Sequence, residues 1–166
     1  MKFKYFLNEV SKTTVQPKTK DELEKIIEDT IKEQGYNCDL NFIDTSLIKD
    51  MNYLLCNSKF NGDISKWDVS NVESMKYVFH DSKFKRDISK WDVSKVKDMS
   101  GMFFSSEFNG DISKWNVSNV RNMEGMFEFS RFNKDISKWN VSNVRDMNNM
   151  FKGSGLEGNE PDWYKD

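Results

Sequence analysis

An α/β repeat solenoid of the leucine-rich-repeat kind is the fold class this sequence predicts. Short parallel strands would stack beside short helical turns, with a capping helix at the N-terminal end. Three observations predict it. Trp67, Trp91, Trp115 and Trp139 stand 24 residues apart, and Trp163 keeps the same register. The run Asp-Ile-Ser-Lys-Trp-(Asp/Asn)-Val-Ser-(Asn/Lys)-Val occurs four times, at 63–72, 87–96, 111–120 and 135–144. Each run follows a Phe (Phe60, Phe84, Phe108, Phe132) and precedes a Met (Met75, Met99, Met123, Met147) and an apolar pair ending in Phe79, Phe103, Phe127 or Phe151.

The elements follow in chain order. Residues 1–35 are expected to form the N-terminal cap. Thr19-Lys20-Asp21-Glu22 is a capping box shortly after Pro17. Leu23, Ile26, Ile27, Thr30, Ile31 and Gln34 then make one helical stripe, and Gly35 is a helix stop. An amphipathic helix over 19–34 is therefore expected to cover the open end of the first coil, with residues 2–7 as a candidate strand beside it. Residues 36–163 are expected to form five 24-residue repeats and a truncated last one, and 164–166 a tail. The first repeat is degenerate but keeps register through Tyr36, Asp39, Leu40, Ile43, Asp44, Ser46 and Met51. The last keeps Leu156, Asn159 and Trp163, while Glu160 and Pro161 oppose further pairing, as terminal caps do.

Within one repeat, Ile64, Trp67, Val69 and Val72 follow leucine-rich-repeat spacing. Trp67 and Val69 would share one face of an extended segment, opposite Lys66, Asp68 and Ser70. Met75, Val78 and Phe79 have the spacing of one helical turn on the same core. No repeat buries its apolar face alone, so the repeats must stack.

The unit Phe-Asn-Gly-Asp-Ile-Ser-Lys-Trp-Asp-Val-Ser-Asn-Val…Met…Phe at 60–79 resembles the BspA-type leucine-rich-repeat family. More narrowly, it is similar to the bacterial surface-protein repeat of mycoplasma and Listeria lipoproteins, over residues 36–163. That resemblance implies a solenoid and, in exported members, adhesion or other protein contacts. Much of the family is a domain of unknown function.

Composition removes several function classes. With 25 Lys+Arg against 27 Asp+Glu in 166 residues, the chain lacks the basic excess of a nucleic-acid binder. No apolar run reaches the ~20 residues of a membrane helix. Two cysteines make no disulfide framework, and the start lacks the apolar core of a signal peptide. A cytoplasmic protein is expected; the alternative is the cell surface, if an export signal lies outside this sequence.

No constellation for catalysis emerges. His80 is the only histidine, so a triad or a zinc site has no partners for it, and a surface or groove position is expected. Cys38 and Cys56 lack C-x-x-C spacing and read as buried thiols. The aspartate columns (Asp39, Asp63, Asp87, Asp111, Asp135 and Asp44, Asp68, Asp92) read as structural Asx turns rather than calcium ligands. The tryptophan column sits at a core position rather than in a ligand ladder. No catalytic residue, cofactor or metal is assigned.

Specificity belongs to columns that change from repeat to repeat. One reads Glu73, Lys97, Arg121, Arg145; another Tyr77, Gly101, Gly125, Asn149; beyond them come His80, Phe104, Glu128 and then Asp81, Ser105, Phe129. Aromatic and arginine side chains are the usual interface anchors. Tyr77, Lys97, Phe104, Arg121, Phe129 and Arg145 are therefore the expected protein-binding residues, as one mixed patch. The expected function is a non-catalytic protein–protein interaction module. The alternatives are an intracellular, phage-encoded inhibitor of a host enzyme or defence nuclease, and a fragment of a bacterial surface adhesin.

Overall fold

The computed structural model describes residues 14–165. The strand expected at 2–7 lies outside them. Helix α1 spans Lys20–Gln34. Its Thr19 cap accepts the Glu22 amide at 3.2 Å, while the Glu22 carboxylate reaches one residue further back than a simple capping box, to the Lys18 amide at 2.7 Å. Gly35, at φ 84°, ends the helix and donates its N–H to the Ile31 carbonyl. Leu23 and Ile27 are buried against the first coil, in one core with Leu40 and Ile43. Ahead of α1, Val15 forms a parallel bridge with Ile43, and Gln16 donates to Asp44 and Ser46.

The chain then winds through stacked 24-residue coils. Most corners of the coils are turned by a side-chain oxygen taking the N–H two residues on. Asp63 does this for Ser65, Asp68 for Ser70, Asp98 for Ser100 and Ser106 for Phe108. The first two corners are the expected Asx turns. The other two columns (Asp50, Asp98, Asn122, Asp146, and the Ser58, Ser106, Ser130, Ser154 hydroxyls) were not foreseen.

Between the corners lies one continuous core. The Phe60, Ile64, Trp67, Val69, Val72, Met75 and Phe79 columns are buried through the middle coils. Phe79, Phe103, Phe127 and Phe151 stack in near-parallel planes at 5.5–5.8 Å. Each tryptophan adds a register lock. The indole N–H of Trp67, Trp91, Trp115 and Trp139 donates to the carbonyl of Leu40, Ile64, Ile88 and Ile112 in the preceding coil, at 3.0–3.2 Å. Burying a polar ring edge requires such a partner.

This is a repeat solenoid but not an α/β leucine-rich repeat. Among the described residues there is one helix and no strand, only single-residue parallel bridges such as Ser74 with Asp98. The strand expected at Trp67–Val69 fails because Asx turns bracket it, and its amides close turns within the coil, Trp67 onto Ile64 and Val72 onto Val69. The helical turn expected at Met75–Phe79 is instead a run of overlapping β-turns. Val78 donates to Met75 and His80 to Tyr77, and Tyr77 and Asp81 take positive φ values of 54° and 47°. These turns leave alternate N–H groups free to bond the next coil. Met75, Tyr77, Phe79 and Asp81 donate to Asp98, Ser100, Met102 and Phe104, and the pattern repeats at each junction through Phe129 to Lys152.

The C-terminal end is closed in part. Leu156 is buried, and Trp163 and Tyr164 lie against Phe151. No helix among the described residues is long and apolar enough to cross a membrane.

Candidate functional site

The turn ladder carries the varying columns on its outer side, and their aromatic members meet. Tyr53 stacks on Tyr77 at 5.3 Å; Tyr77 meets the His80 ring edge-on at 5.4 Å; His80 stacks on Phe104 at 5.0 Å; Phe104 meets Phe129 edge-on at 5.7 Å. The result is a stripe running diagonally over four coils. It shifts from the Tyr77 column through the His80 column to the Phe129 column. Its two ends are open: Tyr53 is 51% and Phe129 53% exposed. Lysines flank it, Lys76 Nζ at 5.5 Å from the Tyr77 centroid and Lys152 Nζ at 5.9 Å from that of Phe129. Lys152 also pairs with Glu128 at 3.8 Å.

The backbone beneath the stripe is unusual. Tyr53, Tyr77 and Phe129 have φ values of 62°, 54° and 55°, the left-handed region where bulky side chains are outliers. Other coils place Gly101, Gly125, Asn149 or Gly153 at these positions. Each large residue there costs about 1–2 kcal/mol relative to glycine. Glycines one coil on make room for the rings. A Cβ on Gly101 would stand 1.9 Å from Tyr77 Cε1, and one on Gly153 would stand 2.4 Å from Phe129 Cδ1.

Of the expected binding residues, Tyr77, Phe104 and Phe129 come together in the stripe. Lys97, Arg121 and Arg145 do not join it. They occupy the column before the ladder, linked by backbone bonds from Lys97 to Glu73, Arg121 to Lys97 and Arg145 to Arg121. The single mixed patch is thus two features. Lys97 is neutralised by Glu73 at 2.6 Å, whose carboxyl it holds below its usual range. Arg121 and Arg145 carry no ion pair among the described residues.

Sequence reading passed over Tyr53 and gave His80 no role. The signal for Tyr53 was its column, shared with Tyr77, inside a repeat too degenerate to draw attention. His80 sits half-buried in the stripe, with Nδ1 3.5 Å from Cys56 Sγ. Cys38 is buried as expected, but Cys56 is only half-buried, because its column faces the ladder exterior. Burial pushes both thiols up, away from the reactive thiolate. No three His, Cys, Asp or Glu side chains converge on a metal-sized site among the described residues.

Stacked coils, a ladder of turns and an exposed aromatic stripe define a repeat solenoid with a surface site. The chain belongs to the family described as Mycoplasma protein of unknown function, DUF285, which matches residues 22–129 and, in a second overlapping copy, 82–163. Neither a curated protein nor a solved structure matches it.

Proposed function

We propose that the protein is a non-catalytic protein-binding module whose contact surface is the stripe Tyr53–Tyr77–His80–Phe104–Phe129. The observation that carries this reading is three bulky aromatics held at left-handed positions that Gly101, Gly125 and Asn149, or Asn57, Asp81, Ser105 and Gly153, fill in other coils. Strain of that kind, kept at the exposed Tyr53 and Phe129 and the half-buried Tyr77, marks function rather than folding. Exposed aromatics supply large, rigid contact area of the kind binding hot spots use. The finer kinship, with the BspA-type surface-protein repeats of mycoplasma and Listeria lipoproteins, rests on the unit at 60–79 and agrees with a contact-making role.

The test uses residues the repeat already tolerates. Tyr77→Asn, Phe104→Lys and Phe129→Ser install what Asn149, Lys152 and Ser105 hold in the same columns. Wild-type protein is expected to retain a stoichiometric partner from its host's lysate, identified by mass spectrometry, and the triple variant to lose it with an unchanged melting curve. Equal retention by both rejects the stripe as the contact surface.

A further inference from the structure

His80 is the one ring of the stripe that can change charge between about pH 5 and 8. It also sits where the two halves of the stripe join. Its ring meets Tyr77 edge-on at 5.4 Å and stacks on Phe104 at 5.0 Å. Among the described residues no other ring contact links the Tyr53–Tyr77 pair to the Phe104–Phe129 pair. A charge on His80 therefore falls at the centre of an otherwise uncharged row of rings.

The groups packed around the ring suit its neutral form. From the preceding coil, Cys56 Sγ lies 3.5 Å from Nδ1. Burial first, and then the Asp81 carboxylate, push the Cys56 thiol up, so it stays a neutral thiol. A thiol donates its S–H to the Nδ1 lone pair of a neutral ring. A charged ring carries a proton there and meets only a weak sulfur acceptor. In its own coil, His80 is followed by the exposed Asp81, and Lys76 Nζ lies over the Tyr77 ring. The following coil offers only Phe104. His80 makes no ion pair among the described residues. Water solvates a charge on this half-buried ring in the free protein. A partner seated on the stripe removes that water, and a charge covered without a counter-ion is far costlier than a neutral ring.

We propose that His80 is a pH switch in the stripe, which holds a partner protein while the ring is neutral and releases it when the ring is protonated. The inference rests on the stripe being the contact surface. It also states what the partner sets against His80, which is an uncharged apolar patch. A partner carboxylate there would reverse the sign of the switch, and the exposed Asp81 beside the ring repels one.

The host's lysate, passed over the immobilised full chain at about pH 7.5 and about pH 5.5, tests this, with the retained partner quantified by mass spectrometry. Both values lie above the range in which aspartate carboxyls ordinarily protonate, and melting curves at each report an intact solenoid. Wild-type protein is expected to retain at least about fivefold less at the lower pH, with a midpoint that coincides with protonation of the His80 ring followed by NMR. His80→Phe and His80→Lys install what Phe104 and Lys152 hold in the same column. Titration of the partner acts on wild type and variants alike, so the ratio of retention at the two pH values isolates His80. That ratio is expected to be at least about fivefold larger for wild type than for His80→Phe. His80→Lys carries its charge at both values and is expected to retain as little at the higher pH as wild type does at the lower. Equal ratios for wild type and His80→Phe, tighter retention at the lower pH, or full retention by His80→Lys overturns the switch and leaves the stripe standing as the contact surface. A partner retained equally by the triple stripe variant, or no partner at all, removes the stripe and the switch together.

Discussion

The Tyr77 ring lies over Gly101 of the next coil so closely that a Cβ there would stand 1.9 Å from its Cε1. The two residues hold equivalent positions in successive coils, both with positive φ, 54° and 57°. One coil's half-buried aromatic therefore depends on the next coil's missing side chain. Gly101→Ala is expected to lower stability by about 1–2 kcal/mol for the left-handed backbone alone. The ring, being the far end of a flexible side chain, is expected to swing away and break its 5.3 Å stack on Tyr53. Denaturant unfolding measures the first effect, and loss of Tyr53–Tyr77 ring contacts by NMR the second. An unchanged tyrosine pair refutes the dependence.

Gly62 and Gly110 hold the same place in different coils and are expected to respond differently to alanine. A Cβ at Gly62 would stand 1.9 Å from the Cys38 carbonyl oxygen, which already accepts the Asp63 amide at 3.1 Å. The three atoms nearest a Cβ at Gly110 all belong to the Phe108 ring, the first at 2.7 Å. Arg86 and Lys134 carry a Cβ at this position in other coils. Gly62→Ala is expected to cost at least about 2 kcal/mol, through backbone displacement at the first junction, and Gly110→Ala less than about 1. Paired urea titrations decide it, and equal costs refute it.

The register of this fold is legible because burial repeats. The Trp67, Val69, Val72, Met75 and Phe79 columns are identical or nearly so in successive repeats, and each must face the core. The N-terminal helix is legible because its stop signals are local: Thr19 and Gly35 act on their own neighbours. The backbone conformation is a harder matter. Alternation at Trp67 and Val69 fits a strand, and Met75, Val78 and Phe79 fit a helical turn, yet neither pattern reports where the amides go. The decisive signal was in the columns read only as variable. Gly101, Gly125, Asn149, Gly153 and Asn57 are left-handed formers, spaced to mark turns rather than a helix. Reading them for conformation predicts the ladder. It also separates the outward Tyr77, Phe104 and Phe129 from Lys97, Arg121 and Arg145, which precede the turns.

Acid is expected to loosen the solenoid at its Asx corners. Asp63, Asp87, Asp111 and Asp135 accept serine amides two residues on at 2.8–2.9 Å. Hydrogen bonds hold all four carboxyls below the usual aspartate value, led by the amides of Ser65, Ser89 and Ser137 and by the Ser113 hydroxyl. Lys83 and Lys85 likewise bring Glu107 down to about 2. A folded value below the unfolded one means that folding favours the charged form. The stabilisation is whole above the unfolded value, near pH 4, and is lost as pH falls through the lowered folded values. Melting temperature is therefore expected to fall below about pH 4. Changing all four aspartates to Asn is expected to flatten that fall. At the neighbouring corner, in the Asp68 column, Asn116 and Asn140 likewise accept a serine amide two residues on, at 3.2 Å, without titrating. An equally steep acid limb in the Asn variant refutes the assignment.

The tryptophan bonds allow a test of what burial contributes to the stack. Trp115 donates its indole N–H to the Ile88 carbonyl at 3.2 Å inside the core, and Trp163 makes the same bond to Ile136 at 3.2 Å at the partly open end. The chemistry and distance match; the surroundings do not. Trp115→Phe removes the donor and leaves the Ile88 carbonyl without a partner away from water, in a site shaped for a larger ring. It is expected to cost about 2–4 kcal/mol, combining the unsatisfied acceptor with the lost volume. Trp163→Phe removes the same bond where water replaces the donor, and is expected to cost less than about 1.5 kcal/mol. Because stability in a solenoid spreads through neighbouring coils, each variant is followed by hydrogen exchange coil by coil as well as by global unfolding. Damage from Trp115→Phe is expected to extend to the coils on both sides, and that from Trp163→Phe to stay in the last. Equal costs for the two mean that the bond itself locks the register; the predicted inequality means that exclusion of water gives the bond its weight.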